Sequence, residues 1–315
     1  MSKQNKDSAE KLFILENAVK EKGEGQKAVS YSQYTMYREC PYRWSLTYKE
    51  KLFPFTSNIN SVFGTALHET LQHYLTLLYT VSVKASEEMD FNEYLSDRMI
   101  ETYTKELEAN GGEKFIEKAE LKEYYADGIE ILEYLRRKRK VLFDYRNVEL
   151  VAVELPGFVP VSEDNTNIVF NFYIDLVFYD RTTKIYEVWD VKTSTRGWSD
   201  YQKKDQKKLD QVLLYKHFLS KHYNVPPESI EVKFLIVKRK VPENLEWPIP
   251  RHTMLIPAQG SSKVKLAVNG LQSFVNEALN PDGSFKETQF KKTPSQSACR
   301  FCPYAGTEFC DMTAD

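Results

Sequence analysis

The stretch Ile168-Val-Phe-Asn-Phe-Tyr-Ile-Asp175-Leu-Val-Phe-Tyr-Asp180, then Arg181-Thr-Thr-Lys184, then Ile185-Tyr-Glu-Val-Trp-Asp190-Val-Lys192, decides the fold. Two runs rich in β-branched and aromatic residues, separated by a short polar segment, predict a β-hairpin. Each run carries one carboxylate among residues that belong in a core, Asp175 in the first and Asp190 in the second. A turn centred near Thr182 or Thr183 sets Asp175 across from Trp189 or Asp190, so the two acids are neighbours. Strand side chains alternate between faces, which puts Lys192 on the face of Asp190, about 7 Å along, and turns Glu187 the other way.

A buried charge is costly unless it is paired or binds a metal. Two carboxylates held close and out of water repel, and one stays protonated unless a cation neutralises the pair. Hard oxygen ligands at that spacing suit Mg²⁺ or Mn²⁺. The Lys192 ammonium beside such a metal can orient and help deprotonate an attacking water, or stabilise charge developing on a phosphate. The ordinary alternative is an Asp190–Lys192 ion pair at a strand end, with Asp175 starting the turn; Asp180 is already placed for that job.

The chain has 315 residues, 42% of them hydrophobic, enough for a large core as one big domain or two. A formal net charge of -2 leaves no global basic footprint and counts against a non-specific nucleic-acid coat protein, though not against an enzyme with one basic groove. Basic residues cluster at Arg136 to Lys140, at Lys203, Lys204, Lys207 and Lys208, and at Lys238 to Lys240, where solvated element ends are the plain reading. No apolar N-terminal segment follows a basic start and no run approaches a membrane span, so a soluble, intracellular protein is expected, not a secreted one.

Residues 1–28 read as a charged flexible leader with a weak amphipathic turn or two around Leu12 to Val19. Residues 29–315 read as the main domain. Ser32 is the expected N-cap of a short helix that Cys40-Pro41 closes. From Phe63 to Leu78 apolar residues recur at helical spacing, with His68 flanking that face and His73 about 140° round from it, expected in solvent. A lone histidine on such a helix is ordinarily structural. Residues 84–146 have a helical pattern broken at Gly111-Gly112 and read as an inserted lobe. Strands are expected at Val148 to Val159, in the hairpin, at Glu231 to Lys238 and at Thr253 to Ile256, with helices at Gln206 to Tyr223 and Lys265 to Leu279. This order gives an α/β fold with a mixed sheet covered on both faces. Gln211 and Tyr215 stand one turn apart on one helix face. Glu154, in the strand before the hairpin, is placed where it could reach the same site as Asp175.

Of four cysteines, Cys40 is near the start of the ordered chain and Cys299, Cys302 and Cys310 crowd its end. An intracellular protein does not use them as disulfides. One Cys-x-x-Cys and two singletons differ from the paired knuckles usual for structural zinc, while a 4Fe-4S cluster takes four thiolates and tolerates such spacing. Zinc stays open as the alternative. Either centre would staple the two chain ends.

Asp175 with Asp190-Val191-Lys192-Thr193 resembles the Asp…(Asp/Glu)-x-Lys signature of the PD-(D/E)XK nuclease superfamily, in particular its RecB-type exonuclease branch. Gly64-Thr-Ala-Leu-His68 is similar to that branch's Gly-x-x-x-His segment, and Gln211 with Tyr215 to its Gln-x-x-x-Tyr pair. One N-terminal and three C-terminal cysteines are similar to its iron-sulfur subgroup, which takes in the AddB nuclease domain, CRISPR-adaptation nucleases and phage and viral relatives; the spacing from Cys302 to Cys310 is wider than usual there. The resemblance implies a restriction-endonuclease-like sheet, with residues 284–315 as the cluster-binding segment. It implies His68, Asp175, Asp190 and the Val191 carbonyl as ligands of Mn²⁺ or Mg²⁺, Asp175, Asp190, Lys192, Gln211 and Tyr215 as the catalytic set, and Cys40, Cys299, Cys302 and Cys310 on a 4Fe-4S cluster. The activity implied is a deoxyribonuclease, an exonuclease acting on DNA ends or single strands in recombination, repair or replication. A helicase or recombination partner and a cytoplasmic location, bacterial or in the host of a phage, go with it. Two alternatives stand beside it: a non-catalytic nucleic-acid-binding module that keeps the fold, and a sequence-specific endonuclease.

Overall fold

A computed structural model describes residues 21–52, 54–242 and 249–313. Along the chain run β1 (Lys27–Ser30), α1 (Tyr31–Glu39), α2 (Ile59–Thr76), α3 (Phe91–Ala109), α4 (Lys118–Leu142), β2 (Val148–Ser162), β3 (Asn165–Asp180), β4 (Ile185–Ser194), α5 (Gln206–Tyr223), β5 (Ile230–Lys238), β6 (His252–Leu255) and α6 (Ser261–Ala278). The strands make a six-stranded mixed sheet in the order β1-β3-β4-β5-β6, with β2 also paired to β3, and helices flank it. The expected α/β architecture is the one observed.

The described residues divide into two compact units. One holds Ser57–Leu155 and the described part of Ile174–Gln259; the other holds Pro156–Tyr173 and the described parts of Ala18–Thr56 and Gly260–Asp315.

In the first unit the hairpin forms as its sequence dictates. β3 and β4 pair antiparallel from Asp180↔Ile185 to Leu176↔Trp189, and the next pair in that register is Asp175 with Asp190. Asp180 takes the turn, its carboxylate accepting from Thr182 and Thr183 N–H. β4 then pairs parallel with β5, and β5 antiparallel with β6. Helix α2 starts from a capping box in which Asn58 and Ser61 satisfy each other's ends. Its apolar face, with Phe63, Leu67, Leu71 and Leu75, joins Leu95 of α3, Ile131 and Leu135 of α4, and Trp189, Val191 and Leu235 of the sheet in a single core. Residues 84–146 therefore share a core with the hairpin. Gly128 on α4 shows how tightly: a Cβ there would meet Leu95 Cδ2 at 2.6 Å and Phe63 at 3.0 Å.

In the second unit β1 lies parallel to β3, Lys27 opposite Ile168. Strand β1 thus begins within the segment read as a leader, while Leu12 to Val19 lie outside the described residues. Trp44 is fully buried against Tyr37, Phe274 and Phe290. Helix α1 is capped by Ser30, whose hydroxyl accepts from Gln33 N–H, and not by Ser32. The two serines offer the same chemistry two residues apart. Strand β1 ends at Ser30, so the helix can start at once, and Ser32 falls inside its first turn. His73 also departs from expectation. It is half-buried, its ring stacked on Tyr94 of α3 at 4.6 Å, because α3 covers the side of α2 that periodicity alone leaves open. No described helix is long and apolar enough to cross a membrane.

Candidate active site

Four side chains from two distant segments meet in the first unit. Asp175 comes from β3, where its Oδ2 accepts the Val191 N–H at 2.6 Å. That bond ties the two hairpin strands together at the point where their carboxylates face one another. Asp190 is 1% exposed. Lys192 Nζ lies 2.8 Å from Asp190 Oδ2, an ion pair inside the site. His68 arrives from α2, its Nδ1 3.8 Å from Asp175 Oδ2 and its ring bonded to the Val191 backbone.

The electrostatics follow from burial. It pushes the Asp175 carboxyl up to about 6, against the pull of Lys192 and the Val191 N–H, with Glu154 adding to the rise. It pushes Asp190 up to about 6 as well, opposed by Lys192 and reinforced by Asp175. Both acids stay above the usual range because burial outweighs the one ammonium beside them. Burial works against the charge of Lys192 too, yet the Asp190 and Asp175 carboxylates outweigh it and hold the ammonium above the ordinary lysine range. His68 goes the other way: burial, then the Lys192 charge, lower it, so the imidazole is neutral at neutral pH with a lone pair to give.

Among the described residues no three His, Cys, Asp or Glu side chains are drawn up as they stand to hold a metal ion. The donor set nonetheless fits a hard divalent cation in kind. The buried Asp190 carboxylate has a second carboxylate, that of Asp175, close enough to act on it, and a neutral imidazole and the Val191 backbone border them.

Glu154 belongs to this neighbourhood. Its charge acts on both Asp175 and His68. Its backbone sits in the left-handed region at φ 47°, unusual for a glutamate in a strand, and its Oε1 accepts from Gln72 Nε2 at 2.5 Å. Gln72 is buried one helical turn beyond His68, a partnership the sequence signals only through that i,i+4 spacing. Gln211 Nε2 donates to Tyr215 Oη at 2.8 Å along α5, as their spacing requires, and α5 packs on β4 and β5.

The family model described as the PD-(D/E)XK nuclease superfamily matches residues 28–308. The chain belongs to the PD-(D/E)XK nuclease superfamily. The superfamily is one of hydrolytic nucleases. No curated protein matches the sequence.

In the second unit Cys40, Cys299, Cys302 and Cys310, all free, line one small cavity with Tyr42, Tyr304 and Met312. The cysteines from the two ends of the sequence are thus brought to one place. They do not stand close enough together to count as a metal-binding group. Cys40 meanwhile caps the helical turn that follows it, its Sγ accepting from Arg43 N–H at 3.4 Å.

Proposed function

We propose that the chain is a metal-dependent deoxyribonuclease that removes nucleotides from DNA ends or single strands. The observation that carries this reading is the convergence of His68, Asp175, Asp190 and Lys192 at one buried place on the hairpin. Asp175, Asp190, His68 and the Val191 carbonyl would hold Mn²⁺ or Mg²⁺. When bound, the cation supplies Lewis acidity toward a phosphoryl oxygen. Lys192, kept protonated by its two acids, is suited to donate hydrogen bonds to an attacking water or to the pentavalent phosphate, not to act as a base. Asp190 steadies that ammonium. The Val191 N–H fixes the Asp175 carboxylate, and the Gln72-held Glu154 acts on Asp175 and His68 through its charge. Gln211 and Tyr215, bonded to each other on α5, would complete the catalytic set that the resemblance implies.

The four thiols round one cavity support a 4Fe-4S cluster joining the ends of the chain, with zinc as the alternative. Digestion of end-labelled and circular DNA, single- and double-stranded, with Mn²⁺ tests the activity. Release of labelled nucleotides from linear substrates with circles left intact is the expected result. Cleavage of circles would make the enzyme an endonuclease, and no cleavage of any substrate would end the proposal.

A further inference from the structure

Three basic clusters stand out in the sequence, and the fold engages each of them in part, leaving Arg137, Lys138 and Lys140 of the first exposed. In the run Arg136 to Lys140, the Arg136 guanidinium lies 3.8 Å from the centre of the Phe91 ring and bonds Glu133 and the Met89 carbonyl, while Arg139 pairs with Glu87. In the run Lys238 to Lys240, Arg239 and Lys240 both bind the buried Asp127 and Glu123 of α4, and Lys238 donates to the Pro250 carbonyl. The third lies in the segment from Arg196 to Lys208, which carries five basic side chains and two acidic ones in a chain whose net charge is -2.

This segment leaves the end of β4 only four residues after Lys192. Arg196 and Lys204 are exposed, while Lys203 pairs with Asp200 at 3.0 Å. Trp198 packs on Phe234 at 5.0 Å with Lys208 over its ring, which anchors the segment to β5. Lys238 crowds in beside it, near Gly197 and close enough to Lys203 for the two charges to repel. In the middle stands Tyr201, 84% exposed, the most exposed of the large hydrophobic side chains among the described residues. A rigidly anchored basic segment with an aromatic ring held out in water matches the design of single-strand binding surfaces, where lysines track phosphates and rings stack on bases. A duplex, whose bases are already stacked, has no use for the ring.

We infer that residues 196–208 form the track on which a single DNA strand lies as it leaves the Asp190–Lys192 site, with a base stacked on Tyr201. The inference rests on the nuclease reading for the direction of the strand, and its test does not depend on cleavage. Fluorescence anisotropy of a labelled oligothymidylate would be measured against the full chain in chelator, for the wild type and for Tyr201→Ala, Tyr201→Phe and Lys204→Glu. Tyr201→Ala is expected to weaken binding about 10-fold or more, the scale of one lost base–ring stack, with Phe restoring it. Lys204→Glu is expected to weaken binding and to flatten its salt dependence. Affinity for blunt duplex is expected to change less than threefold in Tyr201→Ala. Equal oligothymidylate binding by wild type and Tyr201→Ala would overturn the track, as would equal losses for single strand and duplex, or no binding by the wild type. Hydrolysis of bis(p-nitrophenyl) phosphate with Mn²⁺, too small to reach Tyr201, separates the two readings: its absence in the wild type counts against the nuclease while leaving the binding result to decide the track.

Discussion

Replacing Asp190 by Asn should make the metal-free protein more stable while destroying its activity. The carboxyl of Asp190 titrates near 6 in the folded chain against an ordinary value of 3.8, with burial as the main cause. An acid whose folded pKa is raised gives the folded state more bound protons than the unfolded state between those two values. Stability therefore falls as pH rises from about 4 to about 6, and the full penalty stands above that window. A shift of about two units corresponds to roughly 3 kcal/mol at pH 8, falling to about half of that at pH 5 and to a small remainder at pH 4. Asparagine keeps the shape without the charge, so the variant should gain on the order of 1–3 kcal/mol at pH 8 and almost nothing at pH 4. Urea unfolding of both proteins in chelator at pH 4, 5, 6.5 and 8 measures this directly. Mn²⁺ should then reverse the order, stabilising the wild type and leaving Asp190→Asn unmoved. A variant no more stable than wild type at pH 8, or a gap that does not change with pH, would refute the claim that this carboxylate is held at a net cost that Lys192 only partly offsets.

Three other outcomes are expected. Lys192→Ala should lower the cleavage rate on the order of 10²-fold or more, as removal of a single electrostatic group does, while calorimetry finds Mn²⁺ still bound; loss of the metal as well would make Lys192 a structural counter-ion. Imidazole favours Mn²⁺ over Mg²⁺, so His68→Ala should weaken Mn²⁺ binding and erase any preference for Mn²⁺ in activity, and an unchanged Mn²⁺ isotherm would return His68 to a packing role. Anaerobically purified protein should be brown and carry about four irons per chain, with Cys40→Ser bleaching it and exposing residues 285–310 to protease; colourless protein with one zinc would replace the cluster, and protein free of both metals and stable in chelator would remove the centre altogether.

The hairpin, its turn and the facing of Asp175 and Asp190 were legible in the sequence because a strand repeats every two residues and Asp180 marks the turn. The spacing of Gln211 and Tyr215 was legible for the same kind of reason, since an i,i+4 pair on a helix meets whatever surrounds it. Such patterns are local. His68 lies far from Asp175 in sequence, and only the packing of α2 on the sheet through Phe63, Leu67 and Val191 brings its ring to that carboxylate. The same holds for Cys40 and the three C-terminal cysteines, which share a cavity because the ends of the chain fold together in one unit. The left-handed backbone of Glu154 and its Gln72 partner carried no sequence signal beyond one helical spacing. The choice of Ser30 over Ser32 as a cap was fixed by the pairing of β1 with β3. The basic clusters looked alike in the sequence, and only a tertiary partner marks out the run from Lys238 to Lys240: Asp127 is buried on α4 and needs cations, so it takes Arg239 and Lys240. Periodicity sets which way a side chain points from its own element; what it meets there depends on core packing between elements that the sequence keeps far apart.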